Sequence, residues 1–301
     1  MPLRGIIGAK LRNSCFNIFQ MPLTLPAPAK INLSLRVLRR RDDGFHEIES
    51  LMTPLPGLAD QITLADVADD NFPFSCSDPS LEAGEGNLVV KAIRAFEKAS
   101  GVEVKCAVHL EKHIPHGAGL GGGSSDAATT LLALNDWYDS PVDDEALVKI
   151  AGDIGSDVPF FLLNGPGMVR GRGEIIEAAP EHKPLPVLLL KPSFGVATPD
   201  AYKRWQDSQW LPGLDRSEDR EVDGITLIND LERPVFAKHR FLAGLVDWLE
   251  NQPECRAAQL CGSGSTVFTI LADPAGGDAL ASRAREQVDS SLWSWSGNAG
   301  I

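Results

Sequence analysis

The segment from Pro115 to Ser125 constrains the fold of this chain more than any other. It reads Pro-His-Gly-Ala-Gly-Leu-Gly-Gly-Gly-Ser-Ser. Alternating apolar residues over 102–115 predict a strand before it, and the sequence 125–135 predicts a helix after it. Glycines let a loop in this position curl around a ligand with several N–H groups pointing inward. With Ser124 or Ser125 capping the helix, whose start carries partial positive charge, the segment is typical of a phosphate-binding loop.

Two familiar phosphate-binding motifs do not describe this loop. The Walker motif GxxxxGK[ST] fails because a glycine stands where it requires lysine. The dinucleotide fingerprint GxGxxG fits Gly119 and Gly121 only if Ser124 replaces its last glycine. The acid which that fingerprint needs would be Asp139, and this residue lies in a predicted turn. A flexible glycine turn without a ligand is the remaining alternative, although a turn needs fewer glycines.

The rest of the chain mixes strand and helix patterns in both halves, which predicts an α+β fold. In the first half we expect strands at 23–38, 45–55, 61–67 and 158–163, and helices at 87–99 and 142–155. In the second half we expect a strand at 186–192, helices at 198–206, 234–251 and 276–288, and two strands around a glycine turn at 257–273. Three prolines within 178–186 predict a linker. The expected division is a dispensable extension at 1–20, a first domain at 21–180 and a second at 181–301.

Charge and cysteine content narrow the function classes. A formal net charge of −13 argues against a nucleic-acid binder, because binding to a phosphate backbone needs a basic surface. The five cysteines show no CxxC spacing, which is typical of reduced thiols in a cytoplasmic protein. No apolar run approaches the roughly 20 residues that span a membrane.

The glycine loop resembles the nucleotide-binding motif of the GHMP kinases. Its three glycines before Ser-Ser resemble the diphosphocytidyl-methylerythritol branch of that superfamily. Segments 26–50 and 155–162 are similar to that branch's N-terminal signature and to its segment with the catalytic acid, and 229–232 also resembles it. Segment 262–268 resembles the superfamily's C-terminal glycine motif. The resemblance covers nearly the whole chain from about residue 24, and it implies a two-domain GHMP kinase fold with the active site in the cleft between an ATP-binding N-terminal domain and a C-terminal domain.

The same resemblance implies the catalytic residues. Asp157 is the expected general base for the acceptor hydroxyl, although its position after a predicted helix would equally suit a turn or cap residue. Lys30 is its expected partner, which holds the aspartate ionised and polarises the hydroxyl. Asn32 would point to the same side of a strand as Lys30 and bind substrate.

The resemblance also implies a pocket for a cytosine base. Phe45 and His46 resemble an aromatic–histidine pair that stacks on cytosine and reads its edge, with Thr198 and Tyr202 as the opposite wall. Many relatives carry tyrosine at the position of Phe45, so stacking is retained here and a hydroxyl contact is lost. Taken singly, each aromatic residue is more often a core residue.

ATP is the expected co-substrate, with Mg²⁺ bridging its phosphates. The metal ligands are not identified by the sequence, and Asp126 and the loop serines are only candidates. His109 and His113 lie two pleats apart in the predicted strand, about 13 Å, which is too far for one ion. The phosphates are expected on the loop residues Pro115, His116, Gly117, Ala118, Gly119, Leu120, Gly121, Gly122, Gly123, Ser124 and Ser125.

The function implied is transfer of a phosphoryl group from ATP to the 2-hydroxyl of 4-diphosphocytidyl-2-C-methyl-D-erythritol, in the methylerythritol phosphate route to isoprenoids. The expected partner is therefore a small molecule with a cytidyl diphosphate group, and neither a nucleic acid nor a membrane. Two alternatives stay open. One is another GHMP kinase of homoserine or mevalonate type, and the other is a catalytically inactive nucleotide-binding regulator. The sequence does not predict the oligomeric state.

Overall fold

The computed structural model describes residues 21–66, 74–81, 84–163, 165–214 and 216–300, so the prediction for residues 1–20 lies outside its reach. The described residues form two compact units that interleave along the chain. Those of the first unit fall within Met1–Ala27, Ala59–Ile114 and Gly122–Asn164. Those of the second fall within Pro28–Leu58, Pro115–Gly121 and Gly165–Ile301. Because each unit consists of several segments of the chain, this division does not test the predicted domain boundary at residue 180, which remains a prediction.

Two long strands, β1 (Leu23–Arg40) and β2 (His46–Asp66), each contribute residues to both units. The turn between them places Gly44 at a φ of 87°, where glycine is favoured. The strand expected at 23–38 is confirmed, but the two strands expected after the turn are one. Pro54 and Pro56 lie inside β2, where the φ of proline is compatible with extended backbone, and the carbonyl of Pro54 accepts a hydrogen bond from the N–H of Gly300 at 2.9 Å.

In the first unit, helices pack beside a small sheet. Strand β4 (Cys106–Glu111) pairs antiparallel with the end of β2, and β3 (Phe74–Cys76) pairs parallel with β4. Helix α1 begins after Asn87, whose side chain accepts the N–H of Val89 at 2.9 Å, and asparagine is a favoured residue at this capping position. The helices, which pack on one another, are α1 (Leu88–Ser100), α2 (Gly122–Trp137) and α3 (Asp144–Ile154).

Two strand predictions in this unit are wrong in part or in full. Of the strand expected over 102–115, only β4 (Cys106–Glu111) is observed. The apolar run at 158–163 is not a strand but a short 3-10 helix, Pro159–Leu162, in which all four side chains are buried. A short buried apolar run suits a strand or a helical turn equally. Pro159 decides between them here, because its fixed φ and missing N–H suit the first turn of a helix.

In the second unit, some strands extend the sheet of β1 and β2. Strand β5 (Gly167–Gly171) pairs with β2 and with β6 (Ile175–Ala178). Strand β9 (Ile225–Asn229) pairs with β1 and with β8 (Arg220–Val222). A second sheet has the order β10-β11-β7-β12, with ranges Cys255–Leu260, Val267–Leu271, Leu185–Lys191 and Trp293–Ala299. Buried apolar residues of these strands and of the helices that follow form the core of this unit.

Four helices complete the second unit. They are α4 (Thr198–Trp205), α5 (Glu232–Lys238), α6 (Arg240–Glu250) and α7 (Gly277–Gln287). The single helix expected at 234–251 is therefore two, which meet at His239. Neither glycine nor proline marks this break. His239 instead leaves helical geometry at φ −111° and ψ 71°, and its ring stacks on Phe194 with centroids 5.6 Å apart. A tertiary contact thus overrides the helical pattern.

Candidate active site

Lys30 lies at the centre of a hydrogen-bonded group in the second unit. It sits on β1, and its side chain is 3% exposed. Its Nζ donates to Asn32 Oδ1 at 2.8 Å and to the carbonyl of Gly119 at 2.8 Å. The period of two along a strand places Lys30 and Asn32 on one side. The side chains of Lys30 and Asn32 therefore lie on the same side of β1 and contact each other directly.

The glycine loop reaches Lys30 through its main chain. Gly117, Gly119 and Gly121 have positive φ of 63°, 79° and 74°. At Gly119 the need for glycine is steric as well, because a Cβ atom would lie 2.4 Å from the carbonyl oxygen of Cys261 and 2.9 Å from that of Gly264. No other residue could place the loop so close to this turn. The loop is therefore built to hold main-chain atoms close together, as a phosphate-binding loop requires.

Helix α2 begins earlier than its sequence suggested. It starts at Gly122, so Ser124 and Ser125 lie inside its first turn and are not its caps. Glycine disfavours helix interiors, which is why the predicted start was placed after the last glycine. The first main-chain N–H groups of a helix have no partner within it and attract anions. In this chain those N–H groups begin at Gly122, so the main chain of the glycines at the start of α2 offers donors suited to phosphate.

Two buried oxygen atoms at the start of α2 are relevant to Mg²⁺. Ser125 Oγ and Asp126 Oδ1 have no hydrogen-bond partner among the residues that the structure describes. The other carboxylate oxygen of Asp126 accepts from Lys112 Nζ at 2.9 Å. Within the described ranges, no three His, Cys, Asp or Glu side chains come together as metal ligands. These donors still fit Mg²⁺, which usually takes one or two protein oxygens besides phosphate and water.

A second glycine turn, Cys261–Ser265, lies against Lys30. A Cβ atom on Gly262 would lie 3.3 Å from Asn32 Oδ1 and 3.5 Å from Lys30 Nζ. Asn229 at the end of β9 fixes this turn, because its Nδ2 donates to the carbonyls of Leu260 and Gly262 at 2.7 and 2.8 Å. The motifs at 262–268 and 229–232 thus contribute residues to this group, although the sequence did not assign any of them to the site. A buried asparagine at a strand end was the signal available.

The residues expected to bind cytosine lie in the second unit. The rings of His46 and Tyr202 have centroids 5.3 Å apart, and Trp205 meets His46 edge-on at 6.0 Å. Burial, and then the charge of Arg40, lower the pKa of His46, so its ring is neutral at pH 7. A neutral imidazole offers one donor and one acceptor to a base edge. Sequence reasoning missed Trp205, although it lies three residues after Tyr202 on the same helix.

Phe45 and Thr198 have separate contacts. Phe45 is 48% exposed, and the guanidinium carbon of Arg172 lies 4.9 Å from its ring centroid. An exposed aromatic ring with one face covered by a cation keeps its other face available for stacking. Thr198, the first residue of α4, shares a hydrogen bond with Ser263 at 2.7 Å, so α4 is tied to the second glycine turn.

Asp157 belongs to the first unit. It is half-buried in the turn at 156–158, after α3 has ended at Ile154 and before the 3-10 helix begins at Pro159. The turn is closed by a hydrogen bond from the N–H of Val158 to the carbonyl of Gly155 at 3.2 Å. The carboxylate is thus carried by a short turn between two helical segments.

Comparison with known proteins identifies two domains of one kinase superfamily in this chain. The model of the GHMP kinases N-terminal domain matches residues 87–165, and that of the GHMP kinases C-terminal region matches residues 221–290. Both parts of a GHMP kinase are therefore present. A 4-diphosphocytidyl-2-C-methyl-D-erythritol kinase of Methylacidiphilum infernorum is 36% identical, over 89% of this chain and 93% of its own length. The same kinase of Solidesulfovibrio magneticus is 41% identical over 82% and 88%.

Solved structures lead to the same family. A crystal structure of 4-(cytidine 5'-diphospho)-2C-methyl-D-erythritol kinase is 34% identical with a TM-score of 0.71, and covers 93% of this chain and 100% of that chain. The chain belongs to the family of 4-diphosphocytidyl-2-C-methyl-D-erythritol kinases. Homoserine kinase from Cytophaga hutchinsonii shares the fold, with a TM-score of 0.69 at 17% identity, over 96% and 98% of the two chains. Among the described residues, no helix is long and apolar enough to cross a lipid bilayer.

Proposed function

We propose that this kinase transfers the γ-phosphoryl group of ATP to the 2-hydroxyl of 4-diphosphocytidyl-2-C-methyl-D-erythritol, giving the 2-phosphate. The observation that supports it most is the ammonium of Lys30, which is bound at 2.8 Å to Asn32 Oδ1 and at 2.8 Å to the carbonyl of Gly119 in the glycine loop. A fixed cation beside a phosphate-binding loop stabilises the negative charge that builds up on a transferring phosphoryl group.

The proposed chemistry needs few protein groups. The 2-hydroxyl oxygen forms a bond to the γ-phosphorus, the bond from that phosphorus to the oxygen bridging the β-phosphate breaks, and ADP leaves. Asp157 accepts the proton of the hydroxyl. Lys30 orients the reacting groups and offsets negative charge. Mg²⁺, which enters with ATP, would neutralise phosphate charge, and Ser125 and Asp126 offer oxygens to hold it.

The cytidyl group gives this substrate a second point of attachment. We propose that Phe45 stacks on cytosine and that His46 reads its edge, with Thr198 and Tyr202 lining the same pocket. The exposed ring of Phe45 and the neutral ring of His46 support these roles. Stacking of a base on an aromatic ring contributes about 1–3 kcal/mol. Removing the cytidyl group should therefore weaken substrate binding by about 10- to 100-fold or more.

The substrate assignment is tested by ADP release with Mg-ATP. One reaction contains 4-diphosphocytidyl-2-C-methyl-D-erythritol, the second contains the same alcohol without its cytidyl group, and the third and fourth contain homoserine and mevalonate. We expect turnover only with the cytidyl compound. Turnover with homoserine or mevalonate would support another type of GHMP kinase. Binding of ATP without transfer to any of the four alcohols would support an inactive regulator.

The role of Asp157 is tested by Asp157→Asn, which keeps the shape of the side chain and removes its basicity. Loss of a general base typically lowers kcat by about 10²- to 10⁴-fold. We expect such a loss with little change in the KM for ATP. Asp153→Asn, which removes an exposed carboxylate from the preceding helix, is the matched control and should retain turnover. Full turnover by Asp157→Asn would remove Asp157 from the mechanism.

The proposal also covers the cellular location of the enzyme and the kind of ligand that it binds. We place the enzyme in the cytoplasm, with small molecules and not nucleic acid as its ligands. The net charge of −13 supports the second statement, because it repels a phosphate backbone. Fractionation of cells followed by detection of the chain tests the location.

A further inference from the structure

Ser50 lies on β2, is fully buried, and uses its hydroxyl group twice. Its Oγ accepts a hydrogen bond from Asn32 Nδ2 at 2.8 Å. The same hydroxyl donates to the main-chain carbonyl of Ser34 at 2.6 Å. Because Asn32 Oδ1 accepts from Lys30, one continuous series of hydrogen bonds runs from Lys30 through Asn32 and Ser50 to Ser34.

The direction of this series is fixed by its two ends. The ammonium of Lys30 can only donate, and the carbonyl of Ser34 can only accept. The hydroxyl of Ser50 must therefore give its proton to Ser34 and present its lone pairs to Asn32. This in turn requires the amide of Asn32 to turn its NH₂ group to Ser50 and its oxygen to Lys30.

We infer that Ser50 is a positioning residue for phosphoryl transfer, which fixes the amide of Asn32 so that its oxygen holds the ammonium of Lys30. The inference rests on the proposed function, because it assigns Lys30 a role in that reaction. Ser50 itself does not touch the reacting groups. It acts through Asn32, whose two amide ends have nearly the same shape and opposite hydrogen-bonding character.

Loss of the Ser50 hydroxyl has a specific consequence. Asn32 is 1% exposed, so its NH₂ group would lose its acceptor in a place that water reaches poorly. Rotation of the amide by half a turn would then bring N–H groups against the ammonium of Lys30. Since both groups carry positive partial charge, Lys30 would move away from Asn32. A shift of about 1 Å in a positioned group is enough to lower turnover by about 10²-fold.

The experiment compares variants at position 50 by steady-state kinetics and thermal unfolding of the full chain. We expect Ser50→Ala to lower kcat by about 10- to 100-fold, while the KM for ATP changes by less than about threefold. Ser50→Thr keeps the hydroxyl and should retain kcat within about threefold. Ser50→Cys, which keeps the shape with a weaker hydrogen-bonding group, should be intermediate and serves if Ser50→Ala does not fold.

The matched control is Thr269→Val on β11. Thr269 is fully buried in the same unit, and its hydroxyl donates to the carbonyl of Ala257 at 3.0 Å. This variant should lose thermal stability like Ser50→Ala but retain kcat. Equal kcat values for Ser50→Ala and wild type would overturn the inference, as would a Ser50→Thr variant as slow as Ser50→Ala. If the wild-type enzyme phosphorylates a different alcohol, the proposed substrate fails, and the same comparison made with that alcohol still decides the role of Ser50.

Discussion

Lys112 in the first compact unit and Lys30 in the second have buried ammonium groups, which are held in different ways. In the first unit Lys112 lies between two carboxylates. Its Nζ contacts Asp60 and lies 2.9 Å from Asp126, and the three side chains are 7%, 0% and 3% exposed. In the second unit Lys30 donates to an amide oxygen and to a main-chain carbonyl, both of them neutral.

The carboxylate cluster of Lys112, Asp60 and Asp126 combines one ammonium group with two carboxyl groups. Burial raises the pKa of Asp126 to about 8, and the charge of Asp60 adds to the rise although Lys112 opposes it. Burial alone would lower the pKa of Lys112, but the charges of Asp126 and Asp60 together raise it. Asp60 also accepts the main-chain N–H of Ile114 at 2.8 Å, which ties the cluster to the chain just before the glycine loop.

The difference shows what each arrangement is suited to. Carboxylates hold a lysine strongly, but removing one charge leaves the others buried and unbalanced. Hydrogen bonds from a lysine to neutral oxygens depend on how those oxygens are oriented, and their orientation depends on the residues that contact them. Breaking the first arrangement is therefore expected to lower stability, whereas the proposed role of Lys30 predicts that breaking the second mainly lowers turnover.

The largest effect is expected from Lys112→Met. Methionine keeps the length of the side chain and leaves Asp60 and Asp126 buried without the cation between them. Breaking a buried ion pair in this way costs about 3–5 kcal/mol. We expect the free energy of unfolding, measured by urea titration at pH 7, to fall by that amount.

Lys30→Met is the matched variant in the second unit, and it should show the opposite balance. The two hydrogen bonds that it removes, to Asn32 Oδ1 and to the carbonyl of Gly119, have neutral acceptors, so their loss should cost about 1–3 kcal/mol of unfolding free energy, while kcat falls by about 10²-fold. Lys105→Met, which removes a lysine whose side chain is 63% exposed, should change the unfolding free energy by less than about 0.5 kcal/mol. If Lys30→Met proves the less stable of the two buried variants and keeps its turnover, the contrast between the clusters is wrong.

Sequence patterns predicted the parts of this structure that depend on neighbours in the chain. The side-by-side placement of Lys30 and Asn32 follows from the period of a strand. The cap at Asn87 follows from residue type alone. The loop at 115–121 needs glycine for its positive φ, and the sequence supplies it.

Contacts that depend on strand register could not be predicted. Asp60 reaches Lys112 because Gln61 pairs with Glu111, and nothing within either segment sets that register. Ser50 meets Asn32 for a comparable reason, since the two residues lie on neighbouring strands. The start of α2 was misplaced because glycine has a low helix propensity, and here the preceding loop decides where the helix begins.

The two clusters should also differ in how stability depends on pH. The pKa of Asp126 is about 8 in the folded chain, against an ordinary value near 4 for aspartate. Between these two pH values the folded state binds more protons at this group than the unfolded state does. Its contribution to stability is therefore complete below about pH 4 and is lost as the pH rises to about 8, with a slope of at most about 1.4 kcal/mol per pH unit.

Asp126→Asn removes this titration and keeps the shape of the side chain. We expect its unfolding free energy, measured by urea titration from pH 5 to pH 9, to depend less on pH than that of the wild type and to exceed it at the alkaline end. Asp139→Asn removes one exposed carboxylate and should keep the pH dependence of the wild type. Parallel curves for wild type and Asp126→Asn would mean that Asp126 stays ionised through this range. Lys112 would then face two ionised carboxylates, and the charge around it would differ from that around Lys30 more than the raised pKa of Asp126 indicates.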